Sequence, residues 1–389
     1  MAESSGNTGI RVSGLTAPRP EVLASITDQH VLAVIEAAEA PLSRAEIAET
    51  TGLSKPAVSA AAARLSERGV IHDVGVREGR RGGVATLYAL NEDYGRSLAV
   101  VIGNESIAVQ ARDLSGAVRV ALESRLTQEH PPQHIVAETN RLIAEAAAAF
   151  PAPLLAVAVS IADPVDAHSG TPLVLPKSVF PAADIHPTTE FDLSDAARVV
   201  VDNDVNWATI GEYHEGELRG SDDFAYVYFG QGIGAGLLLN GRLFHGHRGL
   251  SGEIGYVWEG ADGRLDVTER LALLGLGSPG VYGLDLAKAD AILAPDPLGD
   301  AAVAASEVLA FAVANLTMVI NPSAIAFGGP LSVYPAFAEA LGQRIAALSI
   351  DPPRFVVSTS TPLLGASIEA HRLALEEAGI PDVAARSSR

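Results

Sequence analysis

The chain contains no cysteine, and that absence removes a disulfide framework, a thiolate zinc site and a cysteine nucleophile together. Positive charge is scarce as well. With 27 Lys+Arg against 47 Asp+Glu the formal net charge is −20, a field that repels phosphate and excludes a protein that coats nucleic acid over its whole surface. No apolar run approaches the roughly 20 residues needed to cross a bilayer. The opening MAESSGNTGI has neither the basic start nor the apolar stretch of a secretory signal. The expectation is a cytoplasmic protein that does not engage a membrane. What remains is a chain of 389 residues, 48% of them apolar, long enough to bury more than one core and to form two or three domains.

The shortage of positive charge is uneven. Residues 1–96 hold 10 Lys+Arg against 12 Asp+Glu, so −2 of the −20 falls there and −18 on residues 97–389. Residues 1–25, rich in Ser, Gly, Pro and Thr, read as a flexible arm. From Ile26, ITDQHVLAVIEAAEA carries a helical stripe that ends before Pro41. LSRAEIAETTG then offers Ser43 as N-cap, Glu46 to complete a capping box and Gly52 as a stop. In SKPAVSAAAARLSERG, Ser54 caps and Pro56 falls in the first turn. Val58, Ala61, Ala62 and Leu65 line up on an inward face, which leaves Lys55, Ser59 and Arg64 outside. Two short helices joined by a tight turn form a helix-turn-helix, whose second helix enters the major groove. VIHDVGVREGRRGGVATLYAL adds two strands around a Gly/Arg tip, a wing that places Arg80 and Arg81 to reach a minor groove or the backbone. Residues 26–92 are therefore expected to bind double-stranded operator DNA through Lys55, Ser59, Arg64, Arg80 and Arg81. A helical subdomain for protein contacts is the alternative reading of the same pattern.

After Tyr94 the pattern changes to short apolar runs, LAVVIG, IAVQA, LLAVAVSIA, ARVVVDND, FAYVYFG, AIAFGG and RFVVSTS, separated by alanine-rich helical stretches. Several are too continuous to be half-exposed, which predicts an α/β domain in two lobes with covered sheets. The stretch GQGIGAGLLLNG, residues 230–241, has two readings. It is a loop whose backbone N–H groups cradle phosphate, or a hairpin turned by Asn240-Gly241. Asp202-Asn203-Asp204 is a polar strand end that also suits an ordinary Asx turn. His245 and His247 lack an evident third ligand and read as surface residues, so no metal is expected.

The order of winged helix, strand pair at 98–111, VVVDNDVNWA, FGQGIGAGLLLNGRLFHGHRGLSGEIGY and AIAFGGP resembles the ROK family (repressor, open reading frame, kinase). The resemblance runs from Ile26 to about Leu375. It implies a two-lobed actin-like ATPase, or sugar-kinase-like, domain over 97–389 behind the winged helix-turn-helix. Family members with the extra head resemble sugar-responsive repressors, and those without it are mostly sugar kinases. The kinases' Asp-x-Gly-Gly-Thr turn organises metal and phosphate. Here the matching residues are Val101-Ile102-Gly103-Asn104-Glu105, and Gln231 replaces a Thr in the opening loop. The resemblance therefore implies no enzyme activity and no cofactor. On the sugar side, Asp204 matches the family's catalytic base, Asn203 precedes it, and Glu253 matches a sugar-binding Glu. Glu269 matches a second one. Tyr256 stands where the family has a His that contacts sugar and binds zinc, and the following Cys-x-Cys is EGADGRLDVTERL, so structural zinc is not expected. The expected effector is a sugar or sugar phosphate, bound by a homodimer or higher homo-oligomer. A sugar kinase with a DNA-binding head and a ligand-independent repressor with a vestigial cleft are the alternatives.

Overall fold

The computed structural model describes residues 20–78, 84–127, 130–178, 180, 184–259 and 265–381, with side chains from residue 24 onward. The chain divides into two compact units. One is built on the residues up to Asn91 with Gly379–Pro381, the other on Glu92–Ala378.

In the first unit, α1 (Pro20–Glu36) begins six residues before the expected boundary at Ile26, so the segment read as a flexible arm is helical from Pro20. Proline fits a first helical turn, where a missing N–H costs no intrahelical bond. A two-residue strand β1 (Leu42–Ser43) leads into α2 (Arg44–Thr51). Ser43 closes the expected capping box: Glu46 N donates to its Oγ, and its own N–H donates to Glu46 Oε2 at 2.8 Å. Gly52 ends α2 in the left-handed region at φ 69°, where glycine carries no Cβ penalty. In α3 (Lys55–Glu67) Ser54 is the N-cap and Val58, Ala61, Ala62 and Leu65 are buried. Strands β2 (Ile71–Glu78) and β3 (Val84–Leu90) pair antiparallel, with β1 on the far side of β3. Helix, helix-turn-helix and wing follow one another as the sequence pattern predicts.

The second unit repeats one topology twice. Strands β4 (Arg96–Ile102), β5 (Ser106–Asp113) and β6 (Val118–Arg125) form a meander. Helix α4 (Pro132–Ala149) then leads to β7 (Leu154–Ile161), parallel to β4. A small hairpin β8–β9 (Val165–Asp166, Thr171–Pro172) and α5 (Pro187–Glu190) precede β10 (Arg198–Asn203), parallel to β7. After α6 (Asp204–Glu215) the pattern restarts with the meander β11 (Phe224–Phe229), β12 (Ile233–Leu239) and β13 (Arg242–Leu243). The short pair β14–β15 (Trp258–Glu259, Leu265–Asp266) and helices α7 (Val267–Leu273), α8 (Leu286–Leu293) and α9 (Asp300–Ile320) follow. Strands β16 (Ala324–Gly328) and β17 (Arg354–Val357), flanking α10 (Pro335–Leu348), add in parallel, and α11 (Pro362–Glu377) closes the unit. Each five-stranded sheet has its first three strands antiparallel and its last two parallel, in the orders β10-β7-β4-β5-β6 and β13-β12-β11-β16-β17.

The helices cover both faces, as continuous apolar strands require. Helices α6 and α11 pack on each other and on the first sheet, where Trp207 meets Ala99, Ala158, Ala366 and Ala370. The Trp207 indole N–H donates to Val159 O at 3.0 Å, pinning α6 to that sheet. Val205 and Ala208 of the same helix pack against Phe224, Tyr226 and Ala326 of the second sheet. Among the described residues α9 alone is long and apolar enough to span a bilayer, a stretch that the sequence reading passed over. Ten of its residues are buried, and Val308, Leu309 and Val313 belong to the second lobe's core.

Candidate functional site

Two surfaces follow from the sequence reading. On α3, Lys55 is exposed and Ser59 half-buried, beside the buried row. Arg80 and Arg81, at the wing tip, lie outside the described residues. Arg64 departs from expectation. Its guanidinium forms a two-pronged pair with Asp28 of α1, Nη2 to Oδ1 at 2.5 Å and Nε to Oδ2 at 3.2 Å, so it ties α1 to α3. Substitution Arg64→Ala is expected to destabilise the head by about 1 kcal/mol, discounted because the arginine is more than a third exposed. It should leave the salt slope of DNA binding unchanged, whereas loss of a phosphate contact lowers that slope by about one. Thermal unfolding and DNA titrations at several salt concentrations check both.

The second surface is a cleft at the carboxyl ends of β4, β7 and β10, where parallel α/β sheets place ligands. Asn104 follows β4, Asp163 follows β7, and Asn203 and Asp204 join β10 to α6. The second lobe supplies Gln231 to Ala235 from the β11–β12 hairpin, then Gly249, Ser251, Glu253 and Tyr282. The glycine-rich stretch resolves into its hairpin reading. Residues 233–239 are strand, and Asn240 and Gly241 turn it with φ of 52° and 69°. The glycines after it also have physical reasons. Gly252 sits at φ +90 with Ala235 O only 1.8 Å from where a Cβ would lie, and Gly249 at φ +77 with Val165 O at 2.0 Å. The loop can therefore press against β12, with Ala235 N donating to Gly252 O at 2.8 Å, and carry Glu253 into the cleft.

Asn203 lines the cleft and is the N-cap of α6, its Oδ1 accepting from Val205 N at 2.9 Å. Asp202 points elsewhere: Oδ1 accepts from Asn206 Nδ2 and Oδ2 lies 2.7 Å from His245 Nε2. That hydrogen bond raises the His245 pKa against the opposing effect of burial. Asp163, 3% exposed, accepts from Ser178 Oγ at 2.9 Å through Oδ1. Its Oδ2 has no partner among the described residues, and neither does Asn104 Oδ1.

Burial raises the pKa of all three cleft carboxyls. Burial pushes Asp163 up to about 6, against the hydrogen bond from Ser178. It pushes Asp204 up to about 7, with the charge of Asp163 adding to it and the Val205 N–H opposing. Glu253 rises to about 8, again mainly by burial, with the charges of Asp204 and Asp163 behind it and Tyr282 opposing. Asp204 and Glu253 keep some exposed surface, but their surroundings are dense protein, so desolvation dominates. Near neutral pH such groups share protons, accepting from one hydroxyl and donating to another.

Two expected ligand contacts take other roles. Glu269 completes a capping box on α7, donating no surface to the cleft: its N–H bonds to Asp266 Oδ1 at 2.7 Å, Asp266 N donates back to its Oε2, and Lys177 Nζ lies 2.7 Å from Oε1. The motif Asp-x-x-Glu before an apolar run carried that signal. Tyr256 stacks on Tyr282, with ring centroids 4.5 Å apart and planes at 12°, and its hydroxyl donates to Pro176 O. Tyr282 is the ring that lines the cleft, its hydroxyl donating to Ile233 O at 2.6 Å and lying 3.3 Å from Glu253 Oε2. Sequence reasoning missed Asp163, Ser178 and Tyr282, which no local motif marks. The two residues read as departures from the kinase turns meet each other: Gln231 Nε2 donates to Glu105 Oε1 at 3.2 Å, bridging the β11–β12 and β4–β5 turns.

Comparison with known proteins gives a ROK family match over residues 97–265 and a MarR family match over residues 26–82. A xylose repressor of Bacillus subtilis (strain 168) is 24% identical over 56% of this chain and 56% of its own length. A glucokinase of Halalkalibacterium halodurans is 32% identical over 34% of this chain and 49% of its own. The chain thus spans about half the length of these curated relatives. Among solved structures, a ROK family transcriptional regulator, homologue of the E. coli MLC protein, superposes with TM-score 0.63 at 20% identity, covering 91% of this chain and 99% of that one. At that identity the likeness establishes the shared fold.

Proposed function

Since this chain carries a ROK-family domain behind a MarR-type winged helix, we propose that it is a sugar-responsive transcriptional repressor. It binds operator DNA as a cytoplasmic homodimer through Lys55, Ser59 and the wing arginines Arg80 and Arg81. A sugar enters the cleft of the second unit and makes hydrogen bonds to Asn203, Asp204 and Glu253. The observation that carries this reading is a cleft whose carboxyls face the cavity while an exposed recognition helix occupies the same chain. Repressor relatives and a MLC-like regulator fold support it. Coupling needs a differential affinity of about 1–3 kcal/mol between the DNA-bound and sugar-bound states.

Fluorescence anisotropy on the protein's upstream DNA, at fixed salt and with added sugars, tests the proposal. Lys55→Ala is expected to weaken DNA binding about tenfold, and Glu253→Ala to abolish the sugar effect while leaving DNA affinity intact. A Glu253→Ala protein that still responds to sugar would remove the cleft from the mechanism. A second reading, a sugar kinase with a regulatory head, is favoured by Asp204 standing in the position of a general base with its pKa raised to about 7, a value suited to proton transfer. ATP turnover that Asp204→Asn eliminates would establish it. The Gln231–Glu105 bridge across the turns where the kinases hold nucleotide argues against that reading.

A further inference from the structure

We propose that the cleft selects an unphosphorylated sugar, and that Asp163 is the specificity-determining residue, its free Oδ2 accepting a hydroxyl hydrogen of the ligand and its charge turning phosphate esters away. This rests on the sugar-effector reading above and narrows it to one chemical class.

The lining is rich in acceptors and poor in cations. Asp163, Asp204 and Glu253 converge with Asn104, Asn203, Ser178 and Tyr282, and no Lys, Arg or His lies among the described residues of the wall. Lys177, the nearest candidate by sequence, is held by Asp266 and Glu269. An adjoining opening at the β4–β5 turn does carry Arg125, but with Glu105 and Glu123 beside it. A phosphate at either place meets more negative than positive charge, and a dianion in a partly desolvated site needs cations or aimed N–H groups. Helix α6 offers its N-terminus, yet Val205 N is already taken by Asn203 Oδ1 and Asp204 Oδ1.

The second observation is independent of charge. Asp163 lines the cavity and is 3% exposed; one of its oxygens is satisfied by Ser178, and the other, buried, has no partner among the described residues. Buried carboxylate oxygens are rarely left unpaired. An acceptor of this kind, with Asn104 Oδ1 in the same state, is a site waiting for a donor, and a sugar hydroxyl is a donor of the right size. Asp163 follows β7 just as Asn104 follows β4 and Asp204 follows β10, so three adjacent parallel strands each present one acceptor.

Titration calorimetry of the full chain with paired probes tests this: D-xylose with D-xylose 5-phosphate, D-glucose with D-glucose 6-phosphate, and N-acetyl-D-glucosamine with its 6-phosphate. For whichever pair binds, the unphosphorylated member is expected to bind at least 30-fold more tightly. Asp163→Asn keeps the shape and removes the charge. It should weaken the neutral sugar about tenfold and shrink the discrimination against the phosphate at least threefold. Ser178→Ala removes the partner of Asp163 but leaves its carboxylate, and is expected to preserve the discrimination, which a purely structural role for Asp163 would not predict. Equal or tighter binding of a phosphorylated probe by the unaltered protein overturns the inference while leaving the sensor reading standing, as does a discrimination ratio unchanged in Asp163→Asn. Binding of no probe, phosphorylated or not, overturns the sensor reading and this inference together.

Discussion

Gly252→Ala is expected to destabilise the second unit by about 3 kcal/mol or more and to abolish the sugar response at the same time. Two costs combine. A residue with a Cβ at φ +90 costs on the order of 1–2 kcal/mol for its backbone alone. The added carbon would also lie 1.8 Å from Ala235 O, a backbone atom of a strand paired with β11, which cannot swing aside. Relief requires the loop to lift from β12, breaking the bond from Ala235 N to Gly252 O and withdrawing Glu253 from the cleft. Gly232→Ala, in the neighbouring hairpin, has open space around the new carbon and no positive φ, and should change stability by about 1 kcal/mol or less. Urea unfolding of both variants beside the parent, with sugar titration of whatever remains folded, checks the pair. Similar midpoints for the two would remove the close approach of Gly252 from the account.

The second large effect is on pH dependence. Glu253 and Asp204 have folded pKa values of about 8 and about 7, above the usual carboxyl range near 4. Between those limits the folded chain holds more protons than the unfolded one, so stability is greatest below pH 4 for these groups and falls as pH rises toward 8. His245, whose pKa is raised by Asp202, acts in the same direction. His371 opposes them, because its burial depresses its pKa to about 4 and stability from it grows with pH up to the unfolded value near 6.5. Above pH 6.5 that opposition is spent. Between pH 6.5 and 8.5 the unliganded protein is therefore expected to lose about 2 kcal/mol. Glu253→Gln, neutral and of the same shape, should flatten most of that loss and make the variant the more stable protein at pH 8.5. Unfolding midpoints across this range decide it, and parallel curves for the two proteins would mean that Glu253 has no raised pKa within this range.

Local chemistry explains which parts were legible. The capping box at Ser43, the Ser54 cap and the buried row from Val58 to Leu65 are written within a few residues of each other, and the head folds accordingly. The strands announced themselves by continuous apolar runs, and Asn240-Gly241 by its turn chemistry. Arg64 misled because its partner, Asp28, is one helix away and an exposed-looking arginine carries no mark of being engaged. The cleft was half visible. Asp204 and Glu253 stood in recognisable motifs, whereas Asp163 and Tyr282 reach the site only because two distant loops fold against the hairpin. Glu269 shows the opposite error, since matching it to a ligand role overrode the capping box spelled out by Asp266-x-x-Glu269.

The bridge between Gln231 and Glu105 changes what kind of device the cleft is. In a two-substrate enzyme of this architecture, closure is a logical AND, complete only when both occupants are present. Here the β4–β5 and β11–β12 turns are joined by the protein's own side chains. One solvent-exposed hydrogen bond is worth about 1 kcal/mol or less, enough to bias closure without locking it. On the sensor reading proposed above, the cleft takes a single input, the abundance of one small molecule, and the turns that face each other across it are tied by the chain itself.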